Sequence, residues 1–247
     1  GKKAISGTQY YARQTQRLIR ALSAPTAEGQ LYAVDMRLRP SGKAGPVATS
    51  LSSFVAYQKR DAWTWEHQAL TRARVVSGSS ALRQKVEQVI AEVLCQPRDR
   101  AKIAADVRDM RRRIAEDKGA QDIWDIKNAH GGLIDVEFIA QFLQLVHAHE
   151  YPGVLDQNTT GAFIKLRDHG LLSAGESETL LQATNLYHSV TQVLRLCLDE
   201  RFNPRTAPEG LKALVCRACD VAEFSQVETL LKRKLASVQE LFERLVR

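Results

Sequence analysis

The sequence has 247 residues, 44% of them hydrophobic, which is enough for one large domain or two smaller ones with their own cores. It contains no apolar run long enough to cross a membrane and no apolar leader, so we expect a soluble, cytoplasmic protein without a membrane partner. The net charge of +7 suits nucleotide phosphates, nucleic acid or an acidic protein. Aromatic residues make up only 6% and do not interleave with a basic stretch, which argues against nucleic acid.

The first fifty residues predict a helix, a strand and a loop. Apolar residues recur at helical spacing over 8–22, which predicts a first helix. Polar and apolar residues then alternate with a period of two, so residues 30–40 are predicted to form a β-strand. Residues 41–46 contain two glycines and end in a proline, which predicts a loop. Thr49 or Ser50 can cap the short helix that follows.

From residue 79 onward nearly the whole sequence has a helical pattern. Helices are predicted at residues 80–94, 98–118, 131–149, 159–168, 174–200, 208–219 and 223–246. Short turns with glycine or proline between them are typical of antiparallel neighbours in a helical bundle. We therefore predict a mostly α fold with two domains, a first with few strands (1–78) and a helical bundle (79–247).

The predicted strand has one polar face. Side chains alternate along a strand, so Asp35, Arg37 and Arg39 would point to the side opposite the apolar residues. A carboxylate can hold Mg²⁺ and guanidinium groups can bind phosphate oxygens, so this face is a candidate metal and phosphate site. The alternative is a ladder of surface salt bridges.

The loop after this strand is a candidate phosphate contact. Ser41 and Lys43, on either side of a glycine, can present backbone amides and an ammonium group to an anion. The spacing of a Walker motif is absent, so the loop alone is a weak signal.

A second candidate cluster precedes the predicted helix at 131–149. Gly131 and Gly132 at a helix start would expose backbone N–H groups toward which the helix dipole draws an anion, and Lys127 could add a positive charge. The alternative is that the two glycines only allow tight packing.

Several charged and aromatic residues nearby fit structural roles. Asp135 and Glu137 are two positions apart on a helix and cannot form one site, and Arg72 or Arg74 is a plausible partner for Glu137. The arginine-rich segment 108–114 is most simply a solvated helix face. Trp63 and Trp65 fit a core better than an adenine-stacking site, and Glu66 beside them could anchor Arg72 or Arg74.

Three long segments, VDMRLRPSGKAGPVATS, AWTWEHQALTRARVV and DIKNAHGGLIDVEFIAQFLQL, resemble the glutamine-synthetase adenylyltransferase family. The resemblance covers most of residues 8–150 and implies a partial nucleotidyltransferase palm in 1–78. It places Asp35 as a catalytic metal ligand and implies that the segment around the glycine pair packs against the palm. With the residue patterns above, the candidate nucleotide contacts are Arg37, Arg39, Ser41, Lys43, Lys127, Gly131 and Gly132. The family's Gly-Ser turn and Asp-x-Asp pair do not precede Asp35 here, so we expect a truncated catalytic region that is inactive alone.

The resemblance also implies what the intact enzyme does. With ATP and Mg²⁺, it would transfer AMP to a tyrosine of glutamine synthetase, under control by glutamine and a nitrogen-signalling trimeric protein. Such enzymes carry one unit that attaches AMP and one that removes it, and the second and third segments favour the attaching unit. The AMP-removing unit is one alternative. A non-catalytic helical module for docking or regulation is another.

Overall fold

The computed structural model describes residues 5–30 and 32–247 and confirms the mostly α class. In chain order the elements are α1 (Gly7–Leu22), β1 (Pro25–Thr26), β2 (Gly29–Gln30), a 3₁₀ helix (Gly42–Ala44), α2 (Leu51–Arg60), α3 (Thr64–Leu70), α4 (Ser80–Leu94), α5 (Arg100–Lys118), α6 (Leu133–His147), a 3₁₀ helix (Pro152–Val154), α7 (Thr159–Asp168), α8 (Ala174–Cys197), α9 (Glu209–Ala218) and α10 (Phe224–Leu245). The helices predicted after residue 79 are all present, with ends within three residues of the prediction. Over the described ranges, no helix is both long and apolar enough to span a bilayer.

The strand predicted at 30–40 is wrong. Residues 32–36 have no regular secondary structure, and Leu31 lies outside the described residues. Tyr32 and Leu38, predicted for the core face, are 58% and 64% exposed. A strand needs a neighbour to pair its backbone groups, and in the part of the chain that the structure describes β1 and β2 pair only with each other.

The chain divides into two compact units. One comprises the described residues up to Ala69 together with Val75–Val93, and the other comprises Leu70–Arg74 and Leu94–Arg247. The predicted domains, 1–78 and 79–247, divide the chain at a different place, and that division stays a prediction.

The first unit contains helices with well-defined caps but few buried residues. Ser50 caps α2 by accepting a hydrogen bond from the backbone N–H of Ser53 at 3.1 Å, which confirms one of the two predicted capping residues. Helix α1 has no buried residue, and its Tyr11 and Leu18 are 64% and 59% exposed. Its apolar face is therefore uncovered in this structure.

The second unit is a helical bundle built around α6. Helix α6 packs against α5, α7, α8 and α10. Its Val136, Ile139 and Phe142 are completely buried, as expected for a helix with apolar residues on all sides. The start of α6, where the predicted glycine pair lies, is consequently held between neighbouring helices.

Candidate functional site

Asp35 and Arg37 form a close ion pair in the irregular segment that replaces the predicted strand. The Arg37 Nη2 and Nε atoms lie 2.6 and 2.8 Å from Asp35 Oδ2, and the Arg37 backbone N–H donates to Oδ1 at 2.8 Å. Both side chains are more than half exposed. The hydrogen bonds from the Arg37 side chain and backbone lower the pKa of Asp35 from 3.8 to about 2, so the carboxylate is ionised at neutral pH.

The Asp35 titration tests this pairing. In Arg37→Gln the guanidinium is lost while the backbone N–H remains, so the Asp35 pKa should rise from about 2 part of the way toward 3.8. The measurement is an NMR titration of the Asp35 carboxyl carbon, with Arg60→Gln as the control that should leave the midpoint unchanged. An unchanged midpoint in Arg37→Gln would show that the pair does not form in solution.

Arg39 donates hydrogen bonds to the backbone of its own segment and does not lie on the face of a strand. Its Nη1 donates to the Met36 carbonyl at 2.5 Å, its Nη2 to the Lys43 carbonyl at 3.1 Å and its Nε to the Gly45 carbonyl at 3.1 Å. The three guanidinium nitrogens thus each donate within this segment. Arg39 therefore shapes the loop, and its predicted contact with phosphate stays a prediction.

The loop itself is tightly wound and leaves one ammonium group unpaired. Ser41 has left-handed backbone angles, φ 60° and ψ 20°, and starts the 3₁₀ turn Gly42–Ala44. At Gly45 a Cβ atom would lie 1.9 Å from the Pro40 carbonyl oxygen, so only glycine fits there. Among the residues that the structure describes, the Lys43 ammonium has no ion-pair partner. The charge of Lys43 is therefore available for a phosphate.

Asp35 supplies one oxygen ligand of the kind that Mg²⁺ prefers. Over residues 5–30 and 32–247, no three His, Cys, Asp or Glu residues form a group that could hold a metal ion. The ionised Asp35 thus fits one position of such a site and does not form a complete one among the described residues.

The glycine pair before α6 is tightly packed. Gly131 has φ +74°, and a Cβ there would lie 1.8 Å from the Leu235 carbonyl oxygen on α10. A Cβ on Gly132 would lie 2.1 Å from the Ile126 carbonyl oxygen. Both positions thus require glycine for close backbone approach, as the packing alternative predicts.

The amides at this helix start already have acceptors. The N–H of Gly131 donates to Asp135 Oδ2 at 2.5 Å, and those of Gly132, Leu133 and Ile134 donate to backbone carbonyls at 2.9 to 3.3 Å. Gly131 and Gly132 were expected to present free N–H groups to an anion. In the structure both N–H groups donate within the turn instead.

Arg111 and Asp135 form a buried ion pair that the sequence analysis missed. The residues are 4% and 2% exposed, Arg111 Nε donates to Asp135 Oδ1, and Nη2 donates to the Asn128 and Ala129 carbonyls at 3.0 and 3.1 Å. The prediction of a solvated face for 108–114 is therefore wrong at Arg111. The spacing of the sequence could have indicated this burial, because Arg111 follows Ile103 and Val107 at four-residue intervals and so lies on the same buried face of α5.

Glu137 forms an ion pair, and Lys127 lies beside a cavity. Arg72 Nη1 lies 2.7 Å from Glu137 Oε1, which confirms one of the two predicted partners. Lys127 lines a cavity of about 480 Å³ together with Trp124 and Arg195. Its predicted contact with an anion stays a prediction.

Trp63 and Glu66 lie at the start of α3. Trp63 is 69% exposed, so the core position predicted for it is wrong. Glu66 is 8% exposed, and it accepts hydrogen bonds from the Tyr57 hydroxyl at 2.8 and 3.0 Å and from the Trp63 backbone N–H at 2.9 Å.

Two family models match the chain. Residues 1–89 match the model described as glutamate-ammonia ligase adenylyltransferase, and residues 102–246 match the one described as GlnD PII-uridylyltransferase. Both descriptions name enzymes that transfer a nucleotidyl group. Almost the whole length of the chain is therefore similar to nucleotidyltransferases.

Curated relatives specify the family further. Over 246 residues the chain is 52% identical to a protein of Rhodopseudomonas palustris (strain TIE-1), 51% to one of Bradyrhizobium diazoefficiens and 46% to one of Xanthobacter autotrophicus. All three are named bifunctional glutamine synthetase adenylyltransferase/adenylyl-removing enzyme, and each match covers 100% of this chain and 25% of the relative. The chain belongs to this family and spans a quarter of the length of these relatives.

Proposed function

We propose that the chain is part of an enzyme that transfers AMP from ATP to a tyrosine of glutamine synthetase and releases pyrophosphate. The observation that carries the proposal is the 35–45 segment, where an ionised carboxylate and an unpaired ammonium occur in one short loop of a chain from this family. Asp35 would be the catalytic metal ligand, and Lys43 and Ser41 would contact phosphate. Arg37 and Arg39 would contribute further positive charge.

The proposed reaction forms a bond between the tyrosine oxygen and the α-phosphorus of ATP and breaks the bond from that phosphorus to the bridging oxygen. The tyrosine loses its proton, and the electron pair of the broken bond leaves with pyrophosphate. Positive groups fixed in advance around the phosphates stabilise the negative charge that develops, and Lys43, with Arg37 beside Asp35, would supply them. Mg²⁺ bound with Asp35 would polarise the α-phosphate and help to activate the tyrosine.

We assign the chain to the attaching rather than the removing unit, since the segments around Trp63 and Gly131 resemble that unit. The removing unit would run phosphorolysis of the AMP-tyrosine bond with similar groups. We also propose that residues 1–247 alone are inactive, because relatives bearing the activity's name are four times as long.

The proposed partners follow from the same family membership. Glutamine synthetase is the protein substrate, and glutamine and a nitrogen-signalling protein would regulate the intact enzyme. The match of 102–246 to a PII-uridylyltransferase model supports a link to nitrogen signalling. We place the enzyme in the cytoplasm, where ATP is available and the four free cysteines would stay reduced.

Replacement of Asp35 tests this proposal. In an enzyme of the relatives' full length that carries this chain, Asp35→Asn should lower the rate of AMP transfer by at least ~100-fold, since a neutral amide is a poor ligand for Mg²⁺. The assay follows labelled AMP from ATP onto purified glutamine synthetase. Asp61→Asn, an exposed acid at the end of α2, should retain the wild-type rate. Retained transfer in a folded Asp35→Asn enzyme would show that Asp35 is not catalytic.

A further inference from the structure

A cleft lies between α5, α10 and the start of α6 in the second unit, and we call it the α5–α10 cleft. Its volume is about 470 Å³, which is within the range of pockets that bind small molecules. The polar residues that line it include Arg108, Arg111 and Arg112 on α5, His130 just before α6, and Gln239 and Glu243 on α10.

The arginines of this cleft come from the arginine-rich segment 108–114. Arg108, Arg111 and Arg112 are three and four positions apart, so they lie on one face of α5. The fourth arginine of the segment, Arg113, does not line the cleft. The spacing of the segment therefore places three positive side chains along one wall.

One guanidinium nitrogen in this wall is buried without an acceptor. Arg111 is 4% exposed, and its Nε and Nη2 atoms donate to Asp135 and to the Asn128 and Ala129 carbonyls. Its Nη1 atom is also buried and has no hydrogen-bond partner among the described residues. A buried donor on a charged group is costly to leave unpaired. An acceptor supplied from the cleft that Arg111 lines would satisfy this nitrogen.

Arg108 and His130 can donate to the same acceptor. Both are exposed, and within the part of the chain that the structure describes neither side chain forms a hydrogen bond or an ion pair. Arg112, in contrast, is already paired with Asp109 and Glu116 at 2.6 and 2.8 Å. The donors available to a ligand are therefore the Arg111 Nη1 atom and the side chains of Arg108 and His130.

The acidic residues of the cleft limit the charge that a ligand can carry. Asp135 and Glu116 each pair with an arginine of the cleft. Glu243 accepts a hydrogen bond from Gln239 at 3.1 Å and has no ion-pair partner in the described ranges. Its charge would repel a polyphosphate, whereas one carboxylate or phosphate group matches the planar donors of a guanidinium.

We propose that the α5–α10 cleft binds a small molecule through one oxyanionic group, a carboxylate or a phosphate. This group accepts hydrogen bonds from the Arg111 Nη1 atom and from the side chains of Arg108 and His130. Arg111 then has two roles, because it pairs with Asp135 in the interior and binds the ligand with its remaining nitrogen. The site uses no residue of the 35–45 segment, so it does not depend on the proposed function.

NMR titrations of the chain with two simple anions test this site. Sodium phosphate and sodium acetate are added separately, with sodium chloride holding the ionic strength constant. At least one anion should shift the Arg111 Nε–H signal and the His130 backbone amide along a saturating curve with a midpoint below about 50 mM. The anion with the lower midpoint identifies the preferred group as phosphate or carboxylate. Shifts that do not saturate with either anion, or that sodium chloride reproduces, would overturn the proposal.

Two variants on α5 locate the binding in this cleft. Arg108→Gln leaves the Arg111–Asp135 pair in place and should raise the midpoint roughly tenfold, as expected for loss of one hydrogen bond from a charged donor. Arg113→Gln removes the same charge from the same helix outside the cleft and should bind like wild type. Both positions are exposed, so both variants should keep the circular dichroism spectrum of the wild type. Equal midpoints in the two variants would show that the anion does not bind in this cleft.

Discussion

Asp135→Asn should destabilise the second unit by about 3–5 kcal/mol, because it leaves the Arg111 guanidinium buried without its counter-charge. Asparagine has nearly the shape of aspartate, and its one oxygen can accept from the Gly131 N–H, but its NH2 group then faces the Arg111 Nε–H. The loss therefore includes both the charge and the hydrogen bond from Arg111. Urea unfolding followed by circular dichroism gives the free energy of unfolding.

The partner and control variants sharpen this prediction. Arg111→Met in the Asp135→Asn background removes the unpaired charge and should recover part of the stability, since replacing both members of a buried pair is often better tolerated than removing one. Arg113→Met removes an exposed pair with Asp109 on the same helix and should change stability by less than about 1 kcal/mol. A loss for Asp135→Asn no larger than that for Arg113→Met would contradict a buried pair.

Gly131→Ala should destabilise the same unit by about 3–5 kcal/mol, near the upper end for single substitutions. The added methyl group would lie 1.8 Å from the Leu235 carbonyl oxygen and 2.7 Å from the Leu235 carbonyl carbon, both in the backbone of α10. The positive φ adds strain that alanine would bear and glycine does not. Either α6 or α10 must therefore move, and Tyr187, whose hydroxyl donates to the Gly131 carbonyl at 2.9 Å, would lose its acceptor position.

Gly175→Ala is the matched control for this substitution. Gly175 lies in the first turn of α8, and no atom is within 4 Å of an added Cβ. Alanine favours a helix over glycine by about 1 kcal/mol, so this variant should be unchanged or slightly more stable. Comparable unfolding of Gly131→Ala and wild type would show that α6 and α10 do not approach this closely.

The helical bundle was predictable because its information is local. Apolar residues recur at helical spacing through α5 to α10, and capping residues such as Asn158 and Ser173 lie directly before their helices. The alternation over 32–38 is equally regular but did not give a strand. A strand depends on a pairing partner, which can lie anywhere in a sequence, and local alternation contains no information about that partner.

The sequence indicated which candidate residues lie near one another, but not which contacts they make. Asp35, Arg39 and Lys43 are close in the sequence, and in the structure they lie in one short loop and the segment that leads into it. The sequence did not show that Arg39 donates to backbone carbonyls, since such contacts depend on how the loop folds back. At Gly131 the packing alternative explains the structure better than the anion site, because an added Cβ would meet the Leu235 backbone of α10. The sequence could not show this contact, since α10 lies about 100 positions further along.

We propose that Asp35 serves the attachment of AMP to glutamine synthetase. The most direct test measures both reactions of a full-length enzyme carrying this chain with Asp35→Asn: attachment of AMP from ATP, and phosphate-dependent release of AMP from adenylylated glutamine synthetase. We predict that attachment is lost while release continues at the wild-type rate. Loss of release with attachment preserved would contradict the assignment and place this chain in the AMP-removing unit.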